Sequence, residues 1–149
     1  MFRHTSIFVL VITLVPSLVW SAEENPPKEG TYYKHGQLGI RKVQANGNRI
    51  DVEFRPNTER FHWCPGVTIK KTDVATVVTF VRCKTSKTCG VDKKATVEKK
   101  LIRKVSIDTG GLHVYVRNGP NKFKLLYKSP NAKSKPGSKK KKDKSSAAS

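Results

Sequence analysis

Acidic residues are scarce in this chain: 11 Asp and Glu stand against 30 Lys and Arg, a formal net charge of +19. So few carboxylates leave little material for paired acid–base chemistry. The positive excess destabilises the compact state somewhat and draws the chain toward polyanions and anionic surfaces at modest salt. Catalytic and ligand motifs are missing as well. No Gly-x-Ser-x-Gly elbow, Walker loop, dinucleotide glycine motif, Cys-x-x-Cys or His-Glu-x-x-His occurs, so nothing assembles for hydrolysis, nucleotide binding or a four-ligand zinc site. His62 and Cys64, with His35 or His113 brought near by folding, can be drawn as a metal site or a dyad, but two residue types without local context do not define one. The expectation is no enzyme, no metal and no cofactor.

No segment beyond Trp20 is apolar enough to cross a bilayer. The apolar run that does exist is N-terminal. Arg3 and His4 give a positive start, Ile7 to Val15 an apolar core, Pro16 a helix stop, and Ser17, Ser21 and Ala22 small residues. That order is the pattern of a secretory signal peptide, expected over 1–21 with cleavage after Ser21. From Ile7 to Trp20 the run is fourteen residues, short of the roughly twenty that span a membrane. Cleavage leaves 128 residues, enough for one domain. The product is expected to be secreted, periplasmic or held in the cell envelope. No Asn-x-Ser/Thr sequon is present to separate these destinations.

Cysteine is also sparse. Cys64, Cys83 and Cys89 would enter an oxidising compartment, where at least one disulfide is expected. Cys83–Cys89 is favoured because Lys84-Thr85-Ser86-Lys87-Thr88 makes a short polar loop that closes easily; Cys64 is the alternative partner for either.

What is present reads as strands. Residues 22–30 form a polar leader with Pro26 and Pro27, residues 31–128 a β-domain, and residues 129–149 a lysine-rich tail without apolar periodicity, expected to be disordered. Ile50, Val52 and Phe54 alternate with charged residues, the mark of a half-buried strand. Leu38 and Ile40 precede it across Ala45-Asn46-Gly47-Asn48, a hairpin signal in which a bulge or longer loop would align Ile40 with Val52 and Leu38 with Phe54. Val67 and Ile69 form a short strand. Val74 to Cys83 is apolar in both phases and β-branched, as a central strand is.

Two turn signals near the end suggest a three-strand meander. A Thr109-Gly110 or Gly110-Gly111 turn pairs Ile107 with Leu112 and Val105 with Val114; the Asn118-Gly119-Pro120-Asn121 turn pairs Val116 with Phe123 and Val114 with Leu125. About seven short strands and no convincing helix point to an all-β fold, an antiparallel β-sandwich, with a small β-barrel as the alternative.

The meander register gathers Lys104, Tyr115, Arg117, Lys122 and Lys124 on the opposite face, a basic surface with one aromatic at its centre. Cations of that kind hold phosphate, sulfate or carboxylate, and a ring stacks on a base or sugar. In the tail, Lys139, Lys140, Lys141 and Lys142 add a flexible polycation. Phe61-His62-Trp63 is expected to plug the end of the sandwich, with an exposed recognition loop as the other reading. Together these point to an exported, non-enzymatic binder of a polyanion: an acidic polysaccharide, an anionic lipid surface or, less in keeping with export, nucleic acid. The alternative is a protein-interaction or structural module whose charge only keeps it in solution.

Overall fold

Alternating apolar runs separated by Gly, Asn and Pro divide the chain into short strands. A computed structural model describes residues 25–132. The expected signal segment 1–21 and the tail lysines Lys139 to Lys142 lie outside the described residues. A helical turn, α1 (His35–Leu38), precedes β1 (Ile40–Asn46) and β2 (Arg49–Phe54). Then come β3 (His62–Trp63), β4 (Gly66–Lys71), β5 (Ala75–Phe80), β6 (Cys83–Lys84), β7 (Lys93–Lys94) and β8 (Thr96–Lys99). The last three are β9 (Ile102–Asp108), β10 (His113–Gly119) and β11 (Lys122–Tyr127).

These strands make an all-β sandwich that does not close into a barrel. The first sheet runs β1-β2-β9-β8 and the second β11-β10-β5-β4-β7, while β3 and β6 form a separate two-stranded ribbon. Among the described residues all strand pairings are antiparallel except β10 with β5. Only Ala95 separates β7 from β8, so the chain leaves the second sheet and enters the first at that residue, where Ala95 N–H donates to Pro65 O at 2.9 Å.

Ile50, Val52, Phe54, Val105 and Ile107 from the first sheet meet Val67, Val78, Phe80, Val114 and Val116 from the second. Each such side chain contributes about 1.5–3 kcal/mol on leaving water. Phe54 and Phe80 pack edge to face with ring centres 4.8 Å apart across the sheets. β2 alternates as its sequence implies, and β5 is buried at every residue, as expected of a central strand.

The pairing differs from expectation at three places. In the β1–β2 hairpin, Asn46 pairs with Arg49 across a Gly47-Asn48 loop, with Gly47 at φ 61°. Gly at the first loop position takes this positive φ without steric cost. A bulge does exist, but at the far end, between Ile40 and Lys42, so Ile40 faces Phe54 and not Val52. The β10–β11 hairpin forms, but Tyr115 faces Leu125 and Arg117 faces Phe123, one position from the expected register.

The third difference matters most: the meander does not exist. The turn itself forms, with Gly110 and Gly111 at φ 59° and 78° and Leu112 N–H donating to Thr109 O at 3.1 Å. Beyond it the strands part, β9 to the first sheet and β10 to the second. Buried Thr109 fixes this divergence. Its N–H and hydroxyl donate to Asn48 O of the first hairpin, and its carbonyl accepts from the Thr76 hydroxyl on β5. Hydrogen bonding continues past β11: buried Ser129 donates to Gly111 O and His113 Nδ1, and its hydroxyl accepts from Asn131 N–H.

Candidate polyanion-binding surface

Loss of the meander disperses the five residues expected on its outer face. Lys104 lies on the outer face of the first sheet, beside Glu53 and Thr96, with Nζ 3.4 Å from Asp51. Tyr115 lies on the outer face of the second sheet, between Val77 and Leu125. Lys122 is exposed at the start of β11. Lys124 faces Val116 and so projects from the other side of its sheet, near enough to His35 that its charge helps burial lower the imidazole pKa.

Arg117 is not a surface cation. It is 2% exposed, donates from Nε to Thr79 Oγ1 at 3.2 Å and from Nη1 to Pro120 O at 2.8 Å, and lies over the Phe123 ring. Its task is to cover the outer face of β5. Thr79 and Val77 are buried there, although Val77 does not belong to the central core cluster.

A different surface forms where the ribbon meets the end of the first sheet. Trp63 pairs with Cys83 and His62 with Lys84. Cys83 bonds Cys89, the expected disulfide, and closes the loop carrying Lys84 and Lys87. That loop is fastened to the aromatic run by Thr85 N–H donating to Phe61 O at 2.9 Å. Phe61 is 63% exposed and Trp63 39%, so the aromatic run does not plug the sandwich. Each ring carries an arginine: the Arg60 guanidinium lies 5.5 Å from the Phe61 ring centre, and that of Arg103 5.8 Å from the Trp63 ring centre.

Local sequence explains how Arg103 arrives there. It shares the inward phase of β9 with Val105 and Ile107, opposite Phe54 on one side and exposed Val97 on the other. At the strand end the core runs out, and a long side chain keeps its stem on apolar surface while its charged head reaches water. Among the described residues neither Arg60 nor Arg103 forms an ion pair. Arg82 nearby is committed: it grips the Glu59 carboxylate through Nε and Nη2, donates to Gly30 O at 2.9 Å, and holds the Glu59 pKa below its usual value. His62 Nδ1 lies 3.2 Å from the same carboxylate.

A groove of about 390 Å³ lies elsewhere, at the β7–β8 corner. Arg49, Lys93, Lys94 and Lys104 line it, but so do Asp108 and Glu98. Lys71, 2.9 Å from Asp108, keeps that carboxyl ionised below its usual range. The groove is therefore mixed in sign.

Cys64 is the free thiol. It is buried, its S–H donates to Gly66 O at 3.4 Å, and burial pushes its pKa up to about 12, far from the thiolate a nucleophile needs. Among the described residues no group of three or more His, Cys, Asp or Glu could hold a metal ion, and no helix is long and apolar enough to cross a membrane. No family model, no curated protein and no solved structure matches the chain.

Sequence reasoning missed Arg60 and Arg103. An arginine standing in the core phase of an otherwise apolar strand was the available signal for Arg103. Its ring partner lies forty positions earlier and on another element, so the pair itself was not visible.

Proposed function

We propose that this chain is an exported, non-enzymatic β-domain that binds a polyanion. The observation that carries the reading is the presentation of Arg60 and Arg103 on two exposed aromatic rings, free of acidic partners among the described residues. Charge supports it. Residues 25–132 hold 22 Lys and Arg against eight Asp and Glu, and four of those acids are already engaged in ion pairs. The surplus is a long-range attraction for anions, and planar guanidinium forks suit sulfate, phosphate and carboxylate. The lysine tail adds a salt-sensitive encounter term. Export is supported by the N-terminal pattern and by the Cys83–Cys89 bond, which persists in oxidising surroundings.

The test is a salt-gradient elution from immobilised heparin and from DNA, with and without residues 133–149. Retention of both forms well above low salt is the expected result. Elution of both at very low salt overturns the reading. A protein-binding module is the second reading, favoured by the exposed Phe61, Trp63 and Val97 beside arginine; salt-resistant capture of a protein partner would support it.

A further inference from the structure

We infer that the Trp63–Arg103 and Phe61–Arg60 end recognises an acidic polysaccharide, with sugar rings lying on the aromatic faces and their carboxylates or sulfates on the two guanidinium groups. This rests on the polyanion reading and makes it specific.

Charge alone does not explain this surface. A partner that offers only charge is satisfied by the exposed lysines scattered over both sheets, and gains nothing from Phe61 at 63% and Trp63 at 39% exposure. Exposed rings of that size are left to water unless something flat and weakly polar covers them. The same surface holds two cations at ring distance, 5.5 and 5.8 Å, and Val97, 65% exposed, stands opposite Arg103 on the neighbouring strand. The matching ligand therefore carries apolar ring faces and anionic groups side by side, repeated along a chain.

Acidic sugars and nucleotides both have that chemistry. The disulfide favours the sugar. Cys83 pairs with Trp63 in the ribbon, and the Cys83–Cys89 loop is bonded to Phe61 through Thr85. The recognition surface is thus built around a bond that lasts in oxidising compartments, and under the export reading cytosolic nucleic acid is not the everyday company of this surface. Lys84 and Lys87 on that loop extend the positive surface past the rings.

The test uses the full chain and four labelled probes, followed by fluorescence anisotropy: a heparin oligosaccharide, an oligogalacturonate, oligothymidylate and linear polyphosphate. Trp63→Ala is expected to weaken the two saccharides about tenfold, the scale of one lost ring contact, and to change polyphosphate less than about twofold. Arg103→Lys keeps the charge and loses the planar fork; it should weaken the saccharides about fivefold, and any anion held by that fork, polyphosphate included, should weaken with them, so that Trp63 and not Arg103 separates sugar from bare charge. If Trp63→Ala does not fold, Trp63→Leu, which keeps the bulk and loses the flat ring, decides the same question. Tighter, Trp63-dependent binding of oligothymidylate overturns the inference in favour of a nucleic acid. Binding ranked by charge alone and indifferent to Trp63 also overturns it, while leaving the polyanion reading intact. Failure to bind any of the four at low salt overturns that underlying reading itself.

Discussion

The Arg117 guanidinium lies 5.3 Å from the centre of the Phe123 ring, facing it across the β10–β11 hairpin. With its hydrogen bonds to Thr79 and Pro120, this makes an arginine into the roof of the second sheet. Arg117→Ala strips that roof and leaves the Pro120 carbonyl and the Thr79 hydroxyl without their donor. A loss of about 2–3 kcal/mol in urea unfolding is expected, with the salt needed to elute the folded variant from heparin nearly unchanged. A large fall in elution salt without loss of stability would return Arg117 to the binding surface.

Gly66 is fixed by close approach. A Cβ placed there meets the Lys93 carbonyl oxygen at 2.0 Å and Lys94 Cα at 3.0 Å, both backbone atoms that cannot rotate away. Gly66→Ala should therefore cost about 3 kcal/mol or more by pushing β7 off β4. The Ala95 amide, bonded to Pro65 O beside this contact, should lose hydrogen-exchange protection more than amides in β2. Equal loss at both sites would mean global destabilisation without displacement of β7.

Acid should unfold the domain partly through Glu59. The Arg82 hydrogen bonds hold its carboxyl below the ordinary 4.5. A carboxylate depressed in the folded state stabilises it at pH values above the unfolded pKa, and that contribution is lost as pH falls through the folded value. Stability should begin to fall below about pH 6.5, where the unfolded chain protonates His35 more readily than the folded one, and decline more steeply below about pH 4.5, with Asp51 and Asp108, also depressed, adding to the slope. Glu59→Gln should be less stable at neutral pH and should show a shallower acid decline in urea titrations. An unchanged slope would remove Glu59 from the account.

The strands were legible where one element decides its own burial. β2 declares itself by alternation, and β5 by being apolar in both phases; each needs only to know that a core exists. The Cys83–Cys89 loop was legible for the same reason, since its closure is local. Register was not, because a bulge shifts pairing without leaving a mark in composition, as at Arg41 between Ile40 and Lys42. The meander failed at a higher level. Gly110-Gly111 makes the tight turn its sequence implies, yet Thr109 holds hydrogen bonds to Asn48 and Thr76 on opposite sheets, and that choice is tertiary. With the meander went the surface built on it, while the Arg103–Trp63 pair that replaces it joins β9 to a ribbon no local pattern connects.

The parallel pairing of β5 with β10 bears on how the molecule comes into being. Tyr115 can settle beside Val77 only after β6 to β9 have been made, since all four lie between β5 and β10 in the chain. Until then β5, apolar on both faces, has β4 on one side and a bare edge on the other. Long loop closure makes such a step slow, and an open apolar edge invites association with other chains. Nascent chains are therefore open to edge-to-edge association until β10, in the last quarter of the sequence, arrives to cover that edge.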